Sequence, residues 1–229
     1  MGGILFILGA TLAAYSTENL AVFLAGWILT MVPFLVKPWF RTPSWRPVMA
    51  LSLSSLALAL AIGLIWANGH GLSIEALKGQ SAGDTAAFWL LITAVILRKG
   101  ICSAQAWIAD LSEAGPAIPA ALLLNGHFGA LLVARLILPL FPGTAGNFFP
   151  VLSWFAMATA LYVAIRALTE NSPRRLVSFL ALSQSAAILS GLESRTAEGI
   201  TGALVHWFVV TGLDRGSIRY SAASRSSLR

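Results

Sequence analysis

Apolar runs of roughly membrane length alternate with short polar stretches along nearly the whole chain. The runs cover residues 3–15, 20–36, 48–67, 86–97, 101–111, 118–140, 148–169, 174–192 and 199–213. A helix needs about 20 apolar residues to cross a bilayer, so several runs are full spans and others fall short. Turn and cap chemistry separates them. Residues 16–19 (Ser-Thr-Glu-Asn) offer helix-starting side chains, Pro47 opens the third run, Asp84 or Thr85 caps the fourth, and Pro173 stands at a tolerated first-turn position. Pro33 lies near the end of the second run, and Pro139, Pro142 and Gly143 stop the sixth. The long polar loop 68–84 contains one small amphipathic piece, 74–78. The pattern predicts an all-α polytopic membrane protein of about seven to nine membrane helices, one of them discontinuous. Residues 1–213 form a single transmembrane helical domain, and 214–229 form a polar basic tail with four arginines and five serines.

The discontinuity is expected at Arg98-Lys99-Gly100, where two cations and a glycine interrupt what is otherwise one long apolar stretch. A cation near the bilayer centre costs several kcal/mol, and non-helical backbone at that depth must line protein or water. Such a site marks an ion or proton path. The competing reading makes Arg98 and Lys99 interfacial anchors that close a short helix. If one of the two relays protons it is Lys99, because a desolvated ammonium can release its proton and a guanidinium cannot do so usefully.

Composition agrees with the pattern. Of 229 residues, 57% are hydrophobic and 10% charged, with a mean hydropathy of +0.79; a soluble domain carries about a quarter charged residues. The net charge of +6 is a topology signal and not a nucleic-acid footprint, since the charges sit between apolar runs. The basic, aromatic stretch 37–46 reads as cytoplasmic and loop 68–84 as lying on the opposite side. A single cysteine, Cys102, rules out an internal disulfide. The first residues lack a basic n-region and a cleavage site, so no signal peptide is expected.

Few other side chains could carry chemistry. Asp110 and Glu113 flank the turn after the break and read as a solvated helix end. His127 and His206 lie inside apolar runs, where each is either a hydrogen-bonded packing residue or a proton relay. Neither has a Cys, Glu or His at metal-ligand spacing, so no metal and no cofactor is expected. Arg174 and Arg175 open a span as anchors, and Ser183-Gln184 lie deeper in it, where they can hold water or a neighbouring helix. No nucleotide-binding glycine motif or catalytic set is present.

The order of these motifs resembles the antiporter-like, proton-conducting membrane subunits of NADH-quinone oxidoreductase (subunits L, M and N) and of Mrp antiporters, a family that includes the membrane subunit of DAB inorganic-carbon transporters. Residues 19–28, Asn-Leu-Ala-Val-Phe-Leu-Ala-Gly-Trp-Ile, are similar to a family stretch ending Gly-Trp-Glu, with Ile28 in place of the glutamate. Lys99, Ser103-Ala104-Gln105, Trp107 to Asp110 and Glu113 to Pro116 resemble the family's broken helix, with a shortened spacing that lets either Arg98 or Lys99 take the lysine position. Residues 174–184 match a later segment in phase, and His206 fits the first position of a His-x-x-x-His-x-x-x-Lys motif whose other positions are Val210 and Asp214 here. The family histidine after the proline-rich turn falls on Leu122 or Leu123, a turn from His127. The resemblance covers the chain to about Leu213 and corresponds to the middle of the family's helix set.

It implies a proton-conducting subunit of a multisubunit complex in a bacterial-type inner membrane. The implied path comprises Lys99, Arg98, His127, Arg174, Gln184 and His206, and redox or other catalysis would reside on a soluble or peripheral partner. A membrane subunit of an inorganic-carbon uptake complex, or an anchoring subunit without transport, are the alternatives it leaves.

Overall fold

A computed structural model of the chain describes residues 2–35, 45–78, 85–101, 104–112 and 127–210. Within them the chain is helical, with an isolated antiparallel bridge between Asn19 and Ser73. In order, the helices are α1 (Gly2–Ser16), α2 (Leu20–Leu29), α3 (Val32–Leu35), α4 (Arg46–Ala67), α5 (Ile74–Leu77), α6 (Thr85–Lys99), α7 (Ala106–Ser112), α8 (His127–Leu140), α9 (Pro142–Leu168), α10 (Pro173–Glu193) and α11 (Ala197–Val210). Three of them, α4, α9 and α10, are long and apolar enough to cross a membrane, and α1, the α2–α3 segment, α8 and α11 are shorter apolar helices. The chain is an all-α integral membrane protein.

Local chemistry explains the boundaries. Asn19 caps α2 by accepting from the Ala21 amide at 2.8 Å, and Ser73 caps α5 through the Ala76 amide. The Leu20 amide donates to Leu72 O and the Ile74 amide to Glu18 O, each at 2.8 Å, which binds the α1–α2 turn to the start of α5. The run expected as one helix over 20–36 divides at Thr30-Met31. Pro33 lacks an amide hydrogen and restarts the helix as α3. Pro142 and Pro173 sit in the first turns of α9 and α10.

Packing joins α9 to α10 along their length, α4 to α6, and α1 to α2. Hydroxyls tie these pairs. Ser54 Oγ donates to Ala94 O at 2.7 Å across α4–α6; Ser183 Oγ donates to Ala160 O at 2.9 Å across α9–α10. Ser153 Oγ and Ser190 Oγ exchange bonds with each other's carbonyls at 2.9 and 3.0 Å. Between apolar helices in lipid, such bonds hold neighbours that no hydrophobic drive pushes together. Arg46, Arg166, Arg174 and Arg175 all belong to one end of the bundle, with Arg46 paired to Asp110 and Arg166 to Glu170. The bridge between the α1–α2 turn and the start of α5 marks the other end.

The break after α6 is where the sequence places it. Gly100 adopts φ +67°, the left-handed conformation that a glycine reaches without steric cost, and the Ile101 amide turns back to Ile96 O at 3.0 Å. A Cβ at position 100 would also lie 2.6 Å from Ile108 Cδ1, so the chain doubles tightly onto α7. Trp107, buried, donates its indole N–H to Leu97 O at 3.0 Å and satisfies a carbonyl the terminated helix leaves free.

Candidate functional site

Successive residues on a helix point about 100° apart, and this separates the two cations of the break. Arg98 is 1% exposed and turns toward α2 and α8. Its guanidinium carbon lies 4.4 Å from the centre of the Trp27 ring and 5.7 Å from that of Phe128. Arg98 Nη2 donates to Thr30 Oγ1, and the Thr30 hydroxyl donates onward to Trp27 O at 2.8 Å. Phe23 and Phe128 stack at 5.4 Å and complete an aromatic wall around the cation. A desolvated cation–π contact of this kind contributes about 2 kcal/mol. Arg98 is a fixed charge, held from several directions.

Lys99 is 2% exposed and turns toward α8 and α10. Its stem crosses the face of α8 at Gly129, where a Cβ would meet Lys99 Cγ and Cδ at 2.7 Å. Glycine there is what leaves a slot for the lysine chain. Two titratable groups act on the ammonium through space, Glu193 at the end of α10 and His127 at the start of α8, and both are buried. Glu193 Oε2 has no hydrogen-bond partner among the described residues. A buried carboxylate is tolerable only beside an opposite charge or a proton, and Lys99 is the titratable group that acts on Glu193 through space.

A second group of polar side chains continues from this cluster. The His127 ring stacks on Trp207 of α11 at 5.7 Å, and the His127 carbonyl accepts from Tyr15 Oη at 3.5 Å. The neighbouring residue on α11, His206, hydrogen-bonds through Nε2 to Gln184 Oε1 on α10. Ser185, also buried, follows Gln184. The groups proposed from sequence thus divide. Lys99 acts through space on His127, whose ring stacks on Trp207 of α11, and the adjacent His206 binds Gln184 of α10, while Arg98 sits apart in the aromatic cage. Arg174 does not join them; it is exposed in the first turn of α10, about 28 Å along that helix from Glu193. Cys102, Glu113 and the tail from 214 lie outside the described residues.

Four participants were missed in the sequence. Glu193 reads as the first residue of a polar link, yet it continues the buried face of Leu182, Ala186 and Leu189 at helical spacing. That phase is the signal that could have found it. Trp27, Thr30 and Gly129 carry no signal by type alone. Ile28, the counterpart of a glutamate in the resemblance above, is 37% exposed, whereas its neighbour Trp27 is buried.

Comparison with known proteins agrees with this architecture. The model of the family described as NADH:quinone oxidoreductase/Mrp antiporter, TM, matches residues 18–212. The chain is 22% identical to NADH-quinone oxidoreductase subunit M of Pseudomonas aeruginosa, covering 94% of this chain and 47% of that protein. It is 27% identical to NADH-quinone oxidoreductase subunit N 3 of Streptomyces griseus over 61% of this chain and 26% of that one. Its fold is similar to that of a chain in the membrane-bound sulfane sulfur reductase, an archaeal respiratory membrane complex, with a TM-score of 0.76 and 22% identity over 89% of this chain and 37% of the other. A chain of respiratory complex I from Thermus thermophilus superposes with a TM-score of 0.69 and 22% identity, over 86% and 45%. The chain spans less than half the length of these relatives.

Proposed function

Since the chain belongs to the NADH:quinone oxidoreductase/Mrp antiporter transmembrane family, we propose that it is an antiporter-like subunit of a multisubunit membrane complex and that it moves protons through the cluster around Lys99. The observation that carries this is the burial of Lys99 beside a helix break, facing buried Glu193 and His127. A structural cation needs only fixed partners, as Arg98 has. Lys99 faces groups that can themselves take and release protons, so a proton arriving at one changes the charge balance of the others. His206 and Gln184 extend the path through α10 and α11. The complex would lie in a bacterial-type inner membrane, with any catalysis on a peripheral partner subunit. Arg174, at the basic end, would sit at a mouth of the path and not within it.

One feature favours a second reading, an anchoring subunit without transport: position 28 holds a partly exposed isoleucine where the resemblance has a glutamate. The test is proton movement by the assembled complex in sealed vesicles. Lys99→Ala is expected to abolish it while the subunit still copurifies with its partners. Undiminished proton movement would reject the path and leave the anchoring role.

A further inference from the structure

A cavity of about 220 Å³ lies between α7, α9 and α10, just past the helix break that follows Lys99. Its walls change character from end to end. Val163 and Phe179 form a buried apolar floor, Ala106 and Ala109 of α7 keep the opposite wall low, and Tyr162 and Arg166 stand at the opening, each about half exposed. The Gln105 amide lines the same cavity, and its Oε1 is buried without a hydrogen-bond partner among the described residues.

The level in the membrane is given by the surroundings. Arg166 is in the last turn of α9, at the end of the bundle that also carries Arg46, Arg174 and Arg175. Arg166 lines the cavity, and at this end of the bundle the four arginines stand with two carboxylates among the described residues. Glu170 lies 3.3 Å from Arg166 and 3.9 Å from Arg175, and Asp110 lies 3.4 Å from Arg46. Among the described residues, arginines outnumber carboxylates at this end of the bundle. Toward the membrane interior, the outer faces beside the cavity are apolar and exposed, with Leu161, Ile165 and Leu180 prominent. The pocket is basic at its interfacial end and greasy at its inner end.

We infer that this cavity holds the headgroup of an anionic phospholipid of the phosphatidylglycerol kind. The phosphate would lie against Arg166, a headgroup hydroxyl would donate to Gln105 Oε1, and the acyl chains would descend outside the cavity along Leu161, Ile165 and Leu180. Basic pockets between membrane helices on the positive side take lipid headgroups for this reason. The volume admits several waters or one small polar headgroup. The amide acceptor sets the requirement for a hydroxyl, which a choline headgroup lacks.

The test uses the purified full chain in mild detergent, with lipid retention read by native mass spectrometry. The probes are phosphatidylglycerol, phosphatidylcholine, glycerol phosphate and inorganic phosphate, each added alone. Phosphatidylglycerol is expected to be retained preferentially, and Arg166→Gln is expected to lower that retention about fivefold, the effect of one basic residue at the membrane surface. Ala109→Phe, which fills the cavity without touching a charge, is expected to lower it as well and to leave phosphatidylcholine retention unchanged. Equal retention of the two lipids, or full phosphatidylglycerol retention in both variants, overturns the inference. Equal occupancy by glycerol phosphate or inorganic phosphate would make the ligand a soluble anion and would overturn the lipid assignment.

Discussion

Replacing Glu193 by glutamine tests the centre of the site most directly. The change keeps the shape and hydrogen-bonding reach of the side chain and removes its charge. Glu193 is 3% exposed and Lys99 2%, so water does not screen what is lost. Had the pair been on the surface, the effect would be no more than about 1 kcal/mol. Where both groups carry charge, removing one leaves the other uncompensated, at about 3–5 kcal/mol. For a chain of this length each kcal/mol moves the unfolding midpoint by about 2–4 °C, so Glu193→Gln is expected to lower it by roughly 10 °C. Lys99→Met strands the carboxylate and should lower it by a similar amount. The double variant removes both charges and fills the space with uncharged groups, so its midpoint should return close to that of the parent. Thermal unfolding of the four proteins in one detergent measures the cycle. Additive losses would show that the two groups do not compensate each other, and the proton path would lose its central element. Proton movement in vesicles should fall in both single variants and stay absent in the double, which separates stability from function.

Two further substitutions test the supports of that pair. In Gly129→Ala the new methyl meets the Lys99 stem at 2.7 Å; overpacking of about 1–3 kcal/mol is expected, with slowed proton movement in an assembled complex, and wild-type transport would mean the lysine does not need its slot. Thr30→Val keeps the shape but removes the acceptor for Arg98 Nη2. It is expected to destabilise the protein by about 1.5–3 kcal/mol in thermal unfolding and to spare proton movement more than Lys99→Ala does, whereas an unchanged midpoint would show that the cage alone holds the guanidinium.

The alternation of apolar runs was enough to read an all-α membrane protein, because lipid tolerates few other backbones. The break at Gly100 was legible for a local reason, since two cations and a glycine inside an apolar stretch admit few conformations. The division of labour between Arg98 and Lys99 was not. It follows from which neighbours each meets, and Trp27, Phe128, Gly129 and Glu193 come from distant helices. Glu193 was hidden by its sequence neighbours: Ser194, Arg195 and Thr196 make the segment look like a loop, although the helix includes Glu193 as its last residue. His206 and Gln184 were each singled out in the sequence, but their hydrogen bond depends on the antiparallel packing of α10 and α11. The division of the 20–36 run has a visible cause in Pro33, which lies near the end of that run and restarts the helix as α3.

Within α8, residues Val133–Ile137 wind as one π turn. Such a turn inserts one residue without advancing the helical phase, and this sets the azimuth of everything beyond it. His127 and Arg135 are eight residues apart and would diverge by about 80° on a regular helix; Arg135 sits inside the wide turn, which narrows that angle. Both consequently meet α1: Tyr15 Oη reaches the His127 carbonyl, while Arg135 donates to Tyr15 O and to Glu18 at 2.7 Å. The wide turn therefore works as a phase corrector that lets a single neighbouring rod grip α8 at two heights. Smoothing it into ordinary winding would turn the guanidinium away from that rod and leave the His127 carbonyl as the remaining hold.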